Sequence, residues 1–320
     1  MANVAGQQSS TSSLSAQAED DFNRFGRQLA WRARDSAPML EMTRRLKDRL
    51  YMEIGEVTGG FLIGSQEDGT SIAGRSDVDY GLRFQLRHGD SSVLLRRLRR
   101  ALVAIYPAAR AVRVDQPGVS VQVGPSPWHR IELIPVVSSR RRSRRTTSVL
   151  AEGIWHGVLP DGAGGWRPTS PEAYADLVTV TDYDRAVPGN AVVVRTVDDR
   201  GRVLSESRGR DTGTVRASVR VLKAWKYVHN LPILSLYLLL KTVDVAGLSP
   251  VSLSSRETFR RVIRTLVEGD LAAVPDPVNA GNLIEACKAA HKGRVRAAAV
   301  AAARDADLAA RAEESGSFDE

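Results

Sequence analysis

The sequence predicts an α+β protein in which a mixed, largely antiparallel sheet with helices is followed by a C-terminal helical domain. Two patterns support this prediction. In the first half of the chain, short apolar runs with alternating polarity are typical of strands. From about residue 214 onward, apolar residues recur at helical spacing instead. The 320 residues are 42% hydrophobic, which is enough to build the core of one large domain or two of ordinary size.

The first half begins with a polar segment, residues 1–17, which we expect to be a flexible tail. Helical spacing over 18–57 predicts two helices, and Pro38 suits the first turn of the second. Asp35 or Ser36 is expected to cap that helix. An amphipathic helix is predicted at 91–105, and strands are predicted at 61–63, 78–86, 112–114, 119–123 and 130–137.

The second half is predicted to be helical, at 215–229, 233–245, 252–267 and 282–311. Between the halves, residues 157–190 contain Gly and Pro without a clear period, so we expect loop structure across a domain junction. The predicted organisation is a tail, an α/β domain with N-terminal helices, an inter-domain segment and a helical domain, at 1–17, 18–150, 151–213 and 214–320.

Composition excludes several classes of protein. The 45 Lys and Arg against 37 Asp and Glu give a net charge of +8, which weakly favours partners that carry phosphate. Cys287 is the only cysteine, so an intrachain disulfide is excluded and a cysteine-built zinc site is not expected. The N-terminus does not resemble a secretory signal, and the longest apolar stretch, 231–240, is too short to span a bilayer. We expect a cytoplasmic protein without a membrane partner.

Two carboxylates stand close together in the segment from Gly64 to Asp79. Successive side chains of a strand point to opposite faces, so Asp77 and Asp79 project the same way. Like charges held this close repel each other, and a bound cation relieves the repulsion. Mg²⁺ takes hard oxygen ligands and completes its shell with phosphates and water. The pair therefore predicts a site for Mg²⁺ or Mn²⁺.

A third acid, Glu132, lies within an otherwise apolar strand, where an unpaired charge would be costly. If this strand pairs beside the Asp77 and Asp79 strand, the three acids converge on a site for two metal ions. Gly64 and Ser65 precede them, and a glycine turn with N–H groups and a hydroxyl suits phosphate oxygens. Phosphate, metal and three acids together indicate nucleotidyl transfer.

These residues carry a family resemblance. Gly64-Ser65, the segments 70–72 and 74–79, and an acid in a strand ending at Pro135 resemble the polymerase-β-like nucleotidyltransferases. More narrowly, the pattern resembles the bacterial cGAS/DncV-like nucleotidyltransferases of anti-phage defence. These enzymes are relatives of oligoadenylate synthase and cyclic GMP-AMP synthase. The resemblance implies the fold of that superfamily, with the active site in a cleft between the two domains.

The second half extends the resemblance, because 219–226 and 231–238 are similar to a helix pair of that group. In the family a lysine on the first helix and a serine at the head of the second contact the triphosphate, which implies these roles for Lys223 and Ser235. Residues 155–171 also resemble the inter-domain segment. The resemblance covers roughly 61–245.

Two positions depart from the family pattern. The third acid is Glu132 where many members have Asp, and Leu239 stands where an acid often follows the serine. The extra methylene of Glu132 changes the reach of that ligand, although both acids occur at metal positions in the wider superfamily.

The resemblance implies an enzyme that joins nucleoside triphosphates into a cyclic or linear oligonucleotide second messenger, with an effector protein that senses the product. Two alternatives stay open: transfer to an RNA 3′ end, and a catalytically silent protein that binds nucleic acid through its basic surface. Lys223 and Lys226 also fit a solvated helix face, and Ser235 fits a helix cap. We expect Trp225 to be a core residue and the arginine run at 140–145 to be a solvated loop.

Overall fold

The computed structural model of the chain describes most of its residues, in ranges that are interrupted at loops and at both ends. The described ranges are 3–31, 33–85, 89–107, 111–115, 117–126, 129–138, 157–169, 171–184, 192–197, 203–211, 213–247, 253–277 and 282–315. Within them the fold is α+β, and the strand pairs are antiparallel except for β2 with β5. The predicted fold class is confirmed.

The sheet lobe follows a first helix. Its elements are, after α1 (Asn3–Gln28), α2 (Ala33–Ile54), β1 (Val57–Ile63), α3 (Gly64–Glu67), β2 (Val78–Phe84), α4 (Ser91–Ile105), β3 (Val112–Asp115), β4 (Gly118–Gln122), β5 (Arg130–Ser138), β6 (Gly157–Pro160) and β7 (Trp166–Thr169). The strands form one sheet in the order β1-β2-β5-β4-β3, with β6 joining β5 to β7.

The helical lobe and the elements that lead to it make up the rest. These are α5 (Pro171–Thr181), β8 (Tyr183–Asp184), β9 (Val192–Val197), β10 (Val203–Asp211), α6 (Thr214–Val228), α7 (Ser235–Gly247), α8 (Ser255–Glu268), β11 (Val274–Pro275), β12 (Leu283–Ile284), a 3₁₀ turn (Ala289–His291) and α9 (Lys292–Ser315). Among the described residues, no helix combines the length and apolar character needed to cross a membrane.

One face of the central sheet is covered by α2 and α4. Alternation along the strands directs Val78, Ile131 and Leu133 into this core, where they pack with Leu50 and Leu98. The residues between them, including the acids of β2 and β5, therefore point to the opposite face. Lys223 of α6 lies close enough to that face for its charge to act on Asp79.

The helical lobe has its own core, which is built from apolar stripes of α6, α7, α8 and α9. Trp225 is buried there, as predicted. The first helix packs on this lobe: the rings of Phe22 and Phe259 lie 5.6 Å apart, and Gly26 faces Ala217 closely.

The N-terminal segment differs from the prediction. Residues 3–17 form the beginning of α1, whereas the sequence predicted a tail before the first helix. A helix that is already anchored at residues 18–28 extends without a new nucleation cost, which favours continuation through Ser, Gln and Ala. The next helix, α2, begins at Ala33, so Asp35 and Ser36 lie within it and Pro38 lies beyond its first turn.

Two further segments differ from the prediction. The segment 157–190, where some loop structure was expected, also contains β6, β7, α5 and β8, and β9 and β10 follow it. Pro168 lies in β7, which pairs with β6 in the sheet, and an edge position tolerates proline. Residues 282–288 are not helical, because Leu283 and Ile284 pair with β11 and the Ala286 carbonyl accepts a bond from Leu234 N, and a 3₁₀ turn (Ala289–His291) precedes α9. These tertiary hydrogen bonds outweigh the helix propensity of the segment.

Candidate active site

Three acids converge at the junction of β2 and β5. The two strands are parallel, and their register places Asp79 beside Glu132. Asp77 directly precedes β2 and lies on the same face as Asp79. One carboxylate oxygen from each of the three acids lies within 4.8 Å of the others. The predicted pairing of the two acidic strands is present in the structure.

The site is electrostatically crowded. Burial and the negative charges of Asp77 and Glu132 raise the pKa of Asp79 well above its usual range. Burial and the charge of Asp77 raise the pKa of Glu132 to about 7. Crowded carboxylates of this kind are stabilised by a cation between them, and hard oxygen donors suit Mg²⁺ or Mn²⁺. The donor set therefore fits the predicted ions.

The turn at Gly64 lies directly against one of these acids. Ile63 pairs with Asp79 across β1 and β2, and α3 begins at the next residue. Gly64 has φ +62°, and a Cβ atom there would lie 2.5 Å from Oδ2 of Asp79. Only glycine fits both the backbone conformation and the space. Gly64 therefore lies against Asp79, and Ser65 is the next residue of the same turn.

No family model and no curated protein sequence matches this chain. Among solved structures, it matches CdnC of Escherichia coli MS115-1 with ATP at 17% identity and a TM-score of 0.63, covering 90% of this chain and 91% of that one. It matches the CD-NTase CdnG of Bradyrhizobium diazoefficiens in complex with GTP at 13% identity and a TM-score of 0.65, covering 91% of both chains.

A third match is the CdnE cyclic dinucleotide synthase of Elizabethkingia meningoseptica, with GTP and Apcpp. The identity is 15% and the TM-score 0.58, and the alignment covers 90% of this chain and 97% of the other. All three alignments span both lobes. This chain has the CD-NTase fold. The fold-level part of the family resemblance is thus confirmed, and the two lobes correspond to the architecture that it implied.

Within this CD-NTase fold, Lys223 reaches from α6 toward the loop that follows α3. Its ammonium donates to Thr70 Oγ1 at 2.7 Å and to the Thr70 carbonyl at 3.1 Å. The side chain is only 3% exposed. Burial lowers the pKa of Lys223 to about 8, although the charges of Asp68 and Asp79 oppose the shift. In the structure the Lys223 ammonium therefore contacts the loop after α3. A contact between Lys223 and a triphosphate stays a prediction.

Two arginines on α6 reach the same loop and were not singled out from the sequence. Arg216 Nε donates to the Asp68 carbonyl at 3.1 Å, and Arg220 donates through Nη1 to the Gly69 carbonyl. With Lys223, three cationic side chains thus hold three successive carbonyls. Their i, i+4, i+7 spacing is visible in the sequence and predicts that the three side chains share one face of the helix. The sequence does not show that their partners are backbone carbonyls.

Ser235 lies at the first position of α7, near the C-terminal end of α6. Lys226 Nζ donates to Ser235 Oγ at 3.0 Å. Burial lowers the pKa of Lys226, whereas burial and the charge of Asp77 raise the pKa of the neighbouring Tyr227. Tyr227 thus lies close enough to Asp77 for that charge to act on it, and Tyr227 was missed in the sequence.

Arg130 is a further residue that sequence reasoning missed. It starts β5, and its Nε and Nη2 atoms both donate to Oδ2 of Asp77, the former at 2.9 Å. The signal was its position two residues before Glu132, which places both side chains on one face of the strand. The arginine run at 140–145, which was predicted to be a solvated loop, lies outside the described residues.

Proposed function

We propose that this protein is a metal-dependent nucleotidyltransferase that joins nucleoside triphosphates into an oligonucleotide and releases pyrophosphate. The observation that carries the proposal is the convergence of Asp77, Asp79 and Glu132, with one oxygen of each within 4.8 Å of the others, near enough to Lys223 of α6 for its charge to act on Asp79. The Gly64 turn beside Asp79 supplies the second element that the reaction requires, a backbone that a triphosphate can approach closely.

The proposed site has residues that would bind metal ions and residues that would bind the triphosphate. Asp77, Asp79 and Glu132 would hold one or two Mg²⁺ or Mn²⁺ ions. Bound there, such ions lower the pKa of an attacking hydroxyl and offset the charge of the triphosphate and of the leaving pyrophosphate. Gly64 and Ser65 bind phosphate oxygens from the sheet side. Lys223 and Ser235, with the ammonium of Lys226 on Ser235, form the wall on the helical side.

The chemical step is a displacement at phosphorus. A ribose hydroxyl oxygen of one nucleotide bonds to the α-phosphorus of a second, and the bond from that phosphorus to the bridging oxygen of the β-phosphate breaks. The hydroxyl proton passes to a carboxylate oxygen of Glu132, and pyrophosphate leaves with the bonding electrons. A second transfer within the linear product would close a ring.

We further propose that the product is a cyclic or linear second messenger of anti-phage signalling, sensed by an effector protein. The support is the CD-NTase fold and the sequence pattern from Gly64 to Asp79. The named structures in this fold carry ATP, GTP or a GTP and Apcpp pair, and one of them is a cyclic dinucleotide synthase.

The test is an incubation of the purified chain with the four triphosphates and Mg²⁺ or Mn²⁺, followed by mass spectrometry. We expect a phosphatase-resistant oligonucleotide whose yield falls about a thousandfold in Asp77→Asn/Asp79→Asn, because the metal contribution is several kcal/mol. The matched control is Asp48→Asn, an exposed acid on α2. A second incubation uses radiolabelled triphosphates with added tRNA. Radiolabel on the tRNA and not in a small molecule would contradict the proposal and indicate transfer to RNA ends.

A further inference from the structure

Arg130 and the three acids form a four-residue cluster. Arg130 and Glu132 project from the same face of β5, while Asp77 lies beside them at the start of β2. Two N–H groups of the Arg130 guanidinium point at one oxygen, Oδ2 of Asp77. The Arg130 side chain is 46% exposed and that of Asp77 is 22% exposed, so the ion pair borders the solvent side of the cleft.

This contact occupies one of the two Asp77 carboxylate oxygens that could bind a metal ion. A carboxylate oxygen accepts bonds along its lone-pair directions, and two N–H donors on Oδ2 occupy them. A divalent cation coordinates the same kind of oxygen at close range and also repels a neighbouring guanidinium. Because Arg130 is half exposed, its long side chain can turn into solvent without opening the fold.

We propose that Arg130 and the divalent cation compete for Asp77, so that Arg130 sets the affinity of the site for metal. The inference rests on the proposed function only in that the acid cluster holds a divalent cation. An exposed ion pair contributes little free energy, so the competition weakens metal binding roughly threefold to tenfold and does not prevent it. Arg130 acts through Asp77 and is therefore a positioning residue.

The primary experiment measures Mn²⁺ binding to the full-length chain without nucleotide, by calorimetry or by electron paramagnetic resonance. Arg130→Gln should bind Mn²⁺ roughly threefold to tenfold more tightly than the wild type. The matched control is Arg113→Gln, which removes an exposed arginine from β3 of the same sheet and should leave the affinity within about twofold. Equal or weaker binding by Arg130→Gln would overturn the proposal.

A double-mutant cycle separates competition from long-range attraction. In an Asp77→Asn background, Arg130→Gln should no longer change Mn²⁺ affinity, because the negative carboxylate for which both cations compete is gone. An undiminished effect in that background would show that Arg130 acts by charge alone and would contradict competition.

A second readout follows Arg130 itself. Side-chain ¹⁵N spectra of the wild type, with the Arg130 Nε signal assigned from its loss in Arg130→Gln, should show that signal shift toward solvent-exposed arginines on addition of Mg²⁺. An unchanged signal at saturating Mg²⁺ would count against displacement. Failure of synthase activity in a chain that shows both metal effects would reject the proposed function and leave the inference about Arg130 standing.

Discussion

Gly64 and Gly74 both adopt positive φ between the first two strands, yet they differ in what surrounds them. Gly64 has φ +62° and Gly74 has φ +70°, a conformation that costs an alanine about 1–2 kcal/mol. A Cβ atom on Gly64 would lie 2.5 Å from Oδ2 of Asp79, whereas a Cβ atom on Gly74 would have nothing within 4 Å. Alanine substitutions at these two glycines therefore distinguish the effect of backbone strain from the effect of displacing Asp79.

We therefore expect Gly64→Ala to reduce nucleotidyl transfer at least tenfold, because the added methyl group pushes Asp79 from its place beside Glu132. Gly74→Ala should lose a similar amount of stability, about 1–2 kcal/mol, and keep most of its turnover. Turnover and chemical denaturation of both variants measure the two effects. Equal losses of turnover would show that strain in the turn, and not the clash with Asp79, is what matters.

Single residues differ in how well the sequence reveals their position. Asp77, Asp79 and Glu132 were predictable because strand alternation and the cost of a buried acid both constrain them. Arg130 obeys the same alternation, but an exposed arginine at a strand end gives no sign of its partner. Its contact with Asp77 depends on which strands are neighbours, which only the fold determines.

At the scale of elements, α6 is the helix that joins the cleft to the helical core. One side of it carries Trp225 and Leu222 into that core, and another side directs Lys223 to Thr70. The burial of Lys223 has a consequence for stability. A lysine whose pKa is about 8 in the folded state and near 10.5 when unfolded binds fewer protons in the folded state between those values.

We expect stability to respond to pH accordingly. Burial of charged Lys223 opposes folding in full below about pH 8, and this opposition fades as pH rises from about 8 to about 10.5. Over that interval the wild type should gain up to about 3 kcal/mol relative to Lys223→Met. The measurement is guanidinium denaturation of both proteins, with chelator, at a series of pH values.

Two outcomes of that series are informative. Curves that converge or cross as pH rises, with the wild type gaining, support a lysine that titrates within the folded chain. Parallel curves would show that the Lys223 ammonium keeps its ordinary pKa, and hence that it lies in a more hydrated place than the structure gives it.

Elements with strong local signals were predicted closely. The helix at 91–105 coincides with α4, because a continuous leucine stripe defines it and Asp90 caps it through Ser92 N. Residues 157–169 and 282–284 were missed because their strands are short and contain or flank Gly and Pro. Such strands are specified by pairing partners that lie far away in the sequence, and local propensity does not report them.

At the scale of the whole molecule, the two lobes are joined partly by charged hydrogen bonds to backbone. Arg220 on α6 donates from Nη1 to the Gly69 carbonyl of the loop after α3, and Arg216 donates from Nε to the neighbouring Asp68 carbonyl at 3.1 Å. Within the helical side of the molecule, Arg220 Nε also donates to the Gly26 carbonyl of α1 at 2.7 Å, and Arg216 pairs with the fully buried carboxylate of Asp182. A cleft between two domains was predictable from the sequence, but these hydrogen bonds were not. Every residue has a backbone carbonyl, so the sequence does not indicate which carbonyl an arginine will contact.

This arrangement predicts that the lobes unfold together. Arg220→Met should lower the free energy of unfolding by about 3–6 kcal/mol, because the side chain makes two hydrogen bonds from a charged donor and each contributes about 1.5–3 kcal/mol. Hydrogen exchange under increasing guanidinium is the measurement. In the wild type, the amides of β5 and α7 should lose protection at the same guanidinium concentration. In Arg220→Met, both sets of amides should again lose protection together, but at a lower concentration. Arg304→Met, an exposed site on α9, should leave both unchanged. Separate transitions for β5 and α7 in the wild type would mean that the joints at Arg220 do not couple the lobes.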